Sequence, residues 1–146
     1  MKKYFLTVLC ILFLSCISYA DDQVIAQRKA VLKALEKVKA STILNYSQYT
    51  ASVSDAKMEL NILDRMEMTD IEGVFCNTAL FLSVSSYELA GGAWKSEIDS
   101  YGYDSIEVIR SRGDLMRSKR EMWKDGKEKL DEAYTKCFPV KNEKTN

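Results

Sequence analysis

This chain has few means of breaking a helix. No glycine precedes Gly73, and Pro139 is the one proline among 146 residues. Glycine and proline are the strongest local punctuators of regular structure, so their scarcity favours long helices. The apolar residues agree. Val24, Val31, Leu35, Val38, Tyr46, Tyr49, Val53, Ala56, Leu60 and Leu63 recur mostly at steps of three and four, which is helical periodicity and not strand alternation. The one weak stretch is 41–54, rich in Ser, Thr, Asn and Tyr. These side chains compete with helical hydrogen bonds or lose rotamer freedom. With Ser54-Asp55 as an N-cap, the pattern predicts helices over 22–50 and 54–67.

Two further helices follow. Thr69-Asp70-Ile71-Glu72 has the capping-box pattern, in which threonine and glutamate satisfy each other's backbone amides. It opens a helix over 70–90 whose residues Ile71, Val74, Phe75, Leu80, Phe81, Leu82, Val84 and Leu89 make it the most apolar segment after residue 20. A helix apolar on most sides is expected to be central and buried. Gly91-Gly92 should end or kink it, although the unequal lengths of 76–90 and 105–137, at about 1.5 Å per residue, suggest that helix continues past Gly92 towards Asp99 or that the last helix bends at Gly113; residues 99–104 read as a loop. The last helix starts near Asp104 or Ser105 and runs to about 136. Ile109, Met116, Trp123, Leu130 and Cys137 lie seven residues apart and form one stripe along it. Gly113 and Gly126 interrupt it at a cost of about 1 kcal/mol each relative to alanine, and such glycines often permit close helix approach. Phe138-Pro139 stops the helix, and 141–146 is a polar tail that should fray. The expected fold is an all-α, antiparallel bundle of about four helices over residues 21–140.

The first twenty residues have a different character. Lys2 and Lys3 precede an apolar run from Phe5 to Cys16, and Ser18-Tyr19-Ala20 puts small residues before Asp21. That order is a secretory signal peptide, cleaved after Ala20. It is too short for a spanning helix, which needs roughly 20 apolar residues. Phe13-Leu14-Ser15-Cys16 loosely resembles a lipoprotein box, and Cys16 is the less favoured lipid anchor because Phe13 stands where an aliphatic residue is usual. Either route predicts a periplasmic or secreted protein. Cys10 and Cys16 lie in the leader, which leaves Cys76 and Cys137 as a single possible disulfide in an oxidising compartment.

Composition then excludes chemistries. The chain has no histidine, which removes Ser-His-Asp and Cys-His catalysis and every histidine metal ligand. One cysteine pair makes no zinc site, and no CxxC or CxxCH is present. Loss of Lys2 and Lys3 takes the formal charge from zero to about −2, so no excess of positive charge points to nucleic acid. Carboxylates cluster at Glu67, Asp70 and Glu72 and at Glu97, Asp99 and Asp104, but these read as caps and solvated faces. The spacing from Asp99 to Glu107 is not an EF-hand. No catalytic set, cofactor or metal is expected.

Two surfaces remain. Residues 55–72 are acidic and 110–129 basic, which suggests either complementary neighbouring helices or a docking face. Trp94, Tyr101 and Tyr103 should sit in a loop after Gly91-Gly92, and aromatic loops anchor interfaces at low entropy cost. With the basic residues Arg110, Arg112, Arg117, Arg120 and Lys124 they are the candidate partner-binding set. Met58, Met66 and Met68 read as core filler, and Asn45-Tyr46-Ser47 as a glycosylation sequon. The heptad-like stripe over 24–63 allows a homodimer.

Signal, helices and one disulfide resemble, in plan only, small exported bacterial inhibitors and immunity proteins, acid-stress chaperones and secretion-system pilotins. The leading expectation is a non-enzymatic binder of another exported or envelope protein, of the inhibitor or immunity type. A periplasmic chaperone or pilotin-like accessory comes next, and a carboxylate-based cell-wall hydrolase last.

Overall fold

The computed structural model describes residues 2–43, 45–66, 71–103 and 105–139, with side chains from residue 22 onward. Four helices carry it: α1 (Lys2–Ser41), α2 (Tyr46–Asp64), α3 (Ile71–Asp99) and α4 (Ile106–Cys137). The expected tail over 141–146 lies outside the described residues, as do Thr69 and Asp70 of the capping box. The chain runs up, down, up and down. Gln27 of α1 donates to the Glu59 carbonyl of α2 at 2.9 Å. Lys57 of α2 pairs with Glu88 of α3 at 2.6 Å. Cys76 at the start of α3 is bonded to Cys137 at the end of α4, with Cα atoms 4.7 Å apart. The expected all-α antiparallel bundle and its disulfide are therefore present.

The break between the first two helices falls at 42–45, not at Ser54. Ser41 and Thr42 turn their hydroxyls back onto the carbonyls of Val38 and Lys39 at 2.7 and 2.9 Å. Asn45 then caps α2: its side-chain oxygen accepts from the Gln48 amide at 2.9 Å. Gln48 in turn accepts from the Asn45 side chain at 2.9 Å. Asparagine followed three residues later by glutamine has the spacing of a capping box. The sequon reading of Asn45-Tyr46-Ser47 hid this cap.

The core takes Val31, Leu35 and Val38 from α1, and Tyr49, Val53, Ala56, Leu60 and Leu63 from α2. To these it adds Cys76, Leu80, Val84, Tyr87 and Ala90 from α3, and Leu130 and Ala133 from α4. Most of the 24–63 stripe is thus spent inside the chain. The α4 stripe is buried only in its second half. Leu130 is fully buried, Met116, Trp123 and Cys137 are partly so, and Ile109 is exposed. Met58, expected in the core, is exposed, Met66 packs against the core, and Met68 lies outside the described residues.

Helices α3 and α4 approach closely because small groups meet between them. Ser83 donates to the backbone carbonyl of Gly126 at 2.9 Å, and the Tyr87 ring lies against Gly126, where a Cβ would sit 3.1 Å from it. Gly91 has the same use on the other side, with the Tyr49 ring 3.2 Å from its notional Cβ. The Gly91-Gly92 pair therefore does not end α3. The helix runs two turns further because Trp94 and Glu97 both find partners there. Contrary to expectation, α3 is not buried all round: Ile71, Val74, Phe75, Phe81, Leu82 and Leu89 are exposed.

The glycines of α4 separate two effects. Gly113 has open space where a side chain would go, so Gly113→Ala should raise stability by about 1 kcal/mol through helix propensity. Gly126→Val should lower it by about 1–3 kcal/mol through overpacking on Tyr87. Urea unfolding of the two variants checks both signs.

Candidate functional site

The α3–α4 hairpin divides at an ion pair. Glu97, near the end of α3, and Lys119, in the middle of α4, are both buried and joined carboxylate to ammonium. The Lys119 ammonium also lies 5.0 Å from the Trp94 ring centre and 5.3 Å from that of Trp123. The second Glu97 oxygen accepts from the Tyr101 hydroxyl at 3.3 Å. The charge that burial would penalise is thus matched by a carboxylate and two ring faces.

Behind the pair stands an aromatic cluster. Trp94 and Trp123 meet edge to face at 5.4 Å. Tyr49 lies 5.4 and 5.9 Å from them, and Tyr46 closes on Trp94 at 5.6 Å. Such arrangements contribute about 0.5–1.5 kcal/mol per pair beyond area burial. Trp94 is therefore not in a loop. It is a half-buried helical residue, and its neighbours are α2 and α4.

Beyond this junction no described residue from Ile98 to Ser118 is buried. The turn there is nonetheless held firmly. Arg112 donates from Nη2 to the Ser100 carbonyl at 2.7 Å and from Nε to the Ser100 hydroxyl at 3.1 Å. Its guanidinium stacks on the Tyr101 ring at 4.4 Å. It thereby supplies a cation and donors at the carbonyl end of α3, where the helix dipole is negative. Gly102 completes the turn at φ 108°, a conformation that side chains disfavour. Ser105 caps α4 by accepting from the Val108 amide at 3.3 Å; Asp104 lies outside the described residues. Tyr101, Tyr103, Ile106 and Ile109 all face solvent around this turn.

The basic set divides. Arg110, Arg117, Arg120 and Lys124 share the outer side of α4, while Arg112 and Lys119 point inward. Arg117 and Lys124 make loose exposed pairs with Asp114 and Glu128, each at 3.7 Å, and such pairs contribute little. The acidic and basic segments are not neighbours, because α2 and α4 lie diagonally across the bundle. Two carboxylates near the turn are engaged: Glu97 with Lys119 and Tyr101, and Asp99 with Lys95 at 2.7 Å. Sequence reasoning counted Lys119 only as one base among several. Burial of this lysine needs a facing helix to supply a carboxylate and a ring face, which spacing on one helix does not reveal.

Two tyrosines in the core carry alkaline sensitivity. Burial holds the Tyr49 hydroxyl well above its ordinary range and pushes Tyr87 up to about 12. Tyr49 donates to the Tyr87 carbonyl at 2.5 Å, whereas the Tyr87 hydroxyl is buried with no partner among the described residues. Unfolded tyrosine ionises near 10, so the native state binds more protons between pH 10 and 12 and stability falls there as pH rises. Tyr87→Phe should remove part of that fall and cost nothing measurable at pH 7, as pH-dependent urea midpoints will show. Lys119→Met should cost about 3–5 kcal/mol by stranding Glu97. Adding Glu97→Gln should recover most of the loss, and the same assay reads both. No family model, no curated protein and no solved structure matches the chain.

Proposed function

We propose that this is an exported, non-enzymatic binding protein of the inhibitor or immunity type, which holds another exported or envelope protein by the tip of its α3–α4 hairpin. The observation that carries the reading is the turn at 100–105. It exposes Tyr101, Tyr103 and Ile106, yet Arg112 fixes its backbone from below. Exposed aromatics on a fixed backbone lose little conformational freedom on binding, which is what makes such residues strong anchors. The outer bases Arg110 and Arg117 flank the tip, Arg120 and Lys124 continue the same side of α4 below it, and together they favour encounter with an acidic partner. Trp94 and Arg112 position the tip and do not touch the partner. A leader at 1–20 and a disulfide in the domain that follows accord with work in the periplasm or outside the cell.

The test begins with capture by the oxidised protein from its own cell envelope, followed by titration against the single stoichiometric partner recovered. Tyr101→Ala and Tyr103→Ala should each weaken that complex by about 1–3 kcal/mol with helicity kept; melting should be unchanged in Tyr103→Ala and lowered in Tyr101→Ala, which loses the Arg112 stack and the bond to Glu97. Arg117→Glu should slow association and reduce its salt dependence. Unaltered affinity in both tyrosine variants would move the contact elsewhere on the surface.

A further inference from the structure

Helix α3 leaves a long face in water that the bundle core does not use. Ile71 is 74% exposed, Phe75 55%, Leu82 40% and Leu89 60%. They belong to two series at seven-residue spacing. Phe75, Leu82, Leu89 and Ser96 form one, and Ile71, Thr78, Ser85 and Gly92 the other. Such a pair of series is the seam of a helix that packs on another helix. No charged residue of α3 falls on this seam over its length of about 38 Å; Glu72, Glu88 and Lys95 lie to its flanks, and from α4 the Lys136 ammonium lies 5.7 Å from the Phe75 ring centre. Thr78 spends its hydroxyl on the Val74 carbonyl at 2.8 Å.

We propose that this face is the interface of a homodimer in which two copies of α3 pack antiparallel about a two-fold axis between residues 83 and 84. That axis sets Phe75 opposite Gly92 of the second copy, Leu82 opposite Ser85, Leu89 opposite Thr78 and Ile71 opposite Ser96. Every large side chain meets a small one, and the two-fold repeats each match, as an isologous interface requires. Parallel pairing would set Phe75 on Phe75 and Gly92 on Gly92, and pack poorly. Gly92 is an independent sign. A Cβ there would meet nothing within 4 Å in its own chain, so one copy does not need this glycine in the interior of a helix. The second copy's Phe75 does. Together with Val74 and Phe81 at the edge, the face exposes on the order of 600 Å² of apolar side chain, approaching the roughly 800 Å² per partner of a stable complex.

Sedimentation of the purified, oxidised protein over a concentration series tests this. A dimer that dissociates on dilution is expected. Leu82→Glu should weaken it at least about a hundredfold and Gly92→Leu at least about tenfold, with circular dichroism confirming that both remain helical. Gly92 has open space around it, so that variant probes association and not folding. Leu82→Lys and Ser85→Glu should each dissociate the dimer, and the double variant should restore it, because the new charges face each other across the axis. A monomer at every concentration would overturn the proposal and leave the face to a different protein. A dimer indifferent to Leu82→Glu and Gly92→Leu would overturn it too, and failure of the double variant to recover would overturn the register.

Discussion

The bond between Cys76 and Cys137 joins residues 61 apart in sequence and sets how α3 and α4 lie against each other. In the chain-entropy account it stabilises the fold by up to about 4 kcal/mol, a large part of the roughly 5–15 kcal/mol of a small domain. Its location matters as much as its strength. It secures the end of the hairpin where α3 starts, and from there Ser83 on Gly126, Tyr87 on Gly126 and Glu97 on Lys119 follow in order along the two helices. Each contact depends on the same register. A shift of one residue would put a side chain where Gly126 now admits the Tyr87 ring.

The second hairpin, α1 with α2, is held differently. It has no covalent tie among the described residues and relies on its apolar stripe, with Gln27 bridging to Glu59 through both a carbonyl and a carboxylate. Tyr49 is where the two hairpins are joined most firmly. Its ring enters the tryptophan cluster and its hydroxyl reaches the Tyr87 carbonyl.

Much of this was legible in the sequence, for identifiable reasons. Helical spacing from Val24 to Leu63, the glycines of α4 and two cysteines placed at the start of one helix and the end of another all act through local rules. The misreadings arose where tertiary contacts outweighed those rules. Gly91-Gly92 looks like a terminus, and although the length of the last helix points past it, only burial of Trp94 and pairing of Glu97 decide that the helix runs through. Asn45 heads a sequon, and its role as a cap shows only when the folded turn brings the Gln48 amide to it. Trp94 was grouped with Tyr101 and Tyr103 by proximity in sequence, although the helix puts it behind the ion pair and them beyond it. The inward turn of Arg112 and Lys119 could not be seen until α4 was docked on α3.

The protein's two tryptophans stand 5.4 Å apart in one cluster. Intrinsic fluorescence excited at the indoles is therefore a local signal. It reports the junction between the bundle and the tip, through Lys119 and the tyrosines around it. Events at the disulfide end become visible in emission only if they travel along α3 or α4, each of which carries one cysteine and one tryptophan, so the molecule carries a built-in optical marker for one end and none for the other.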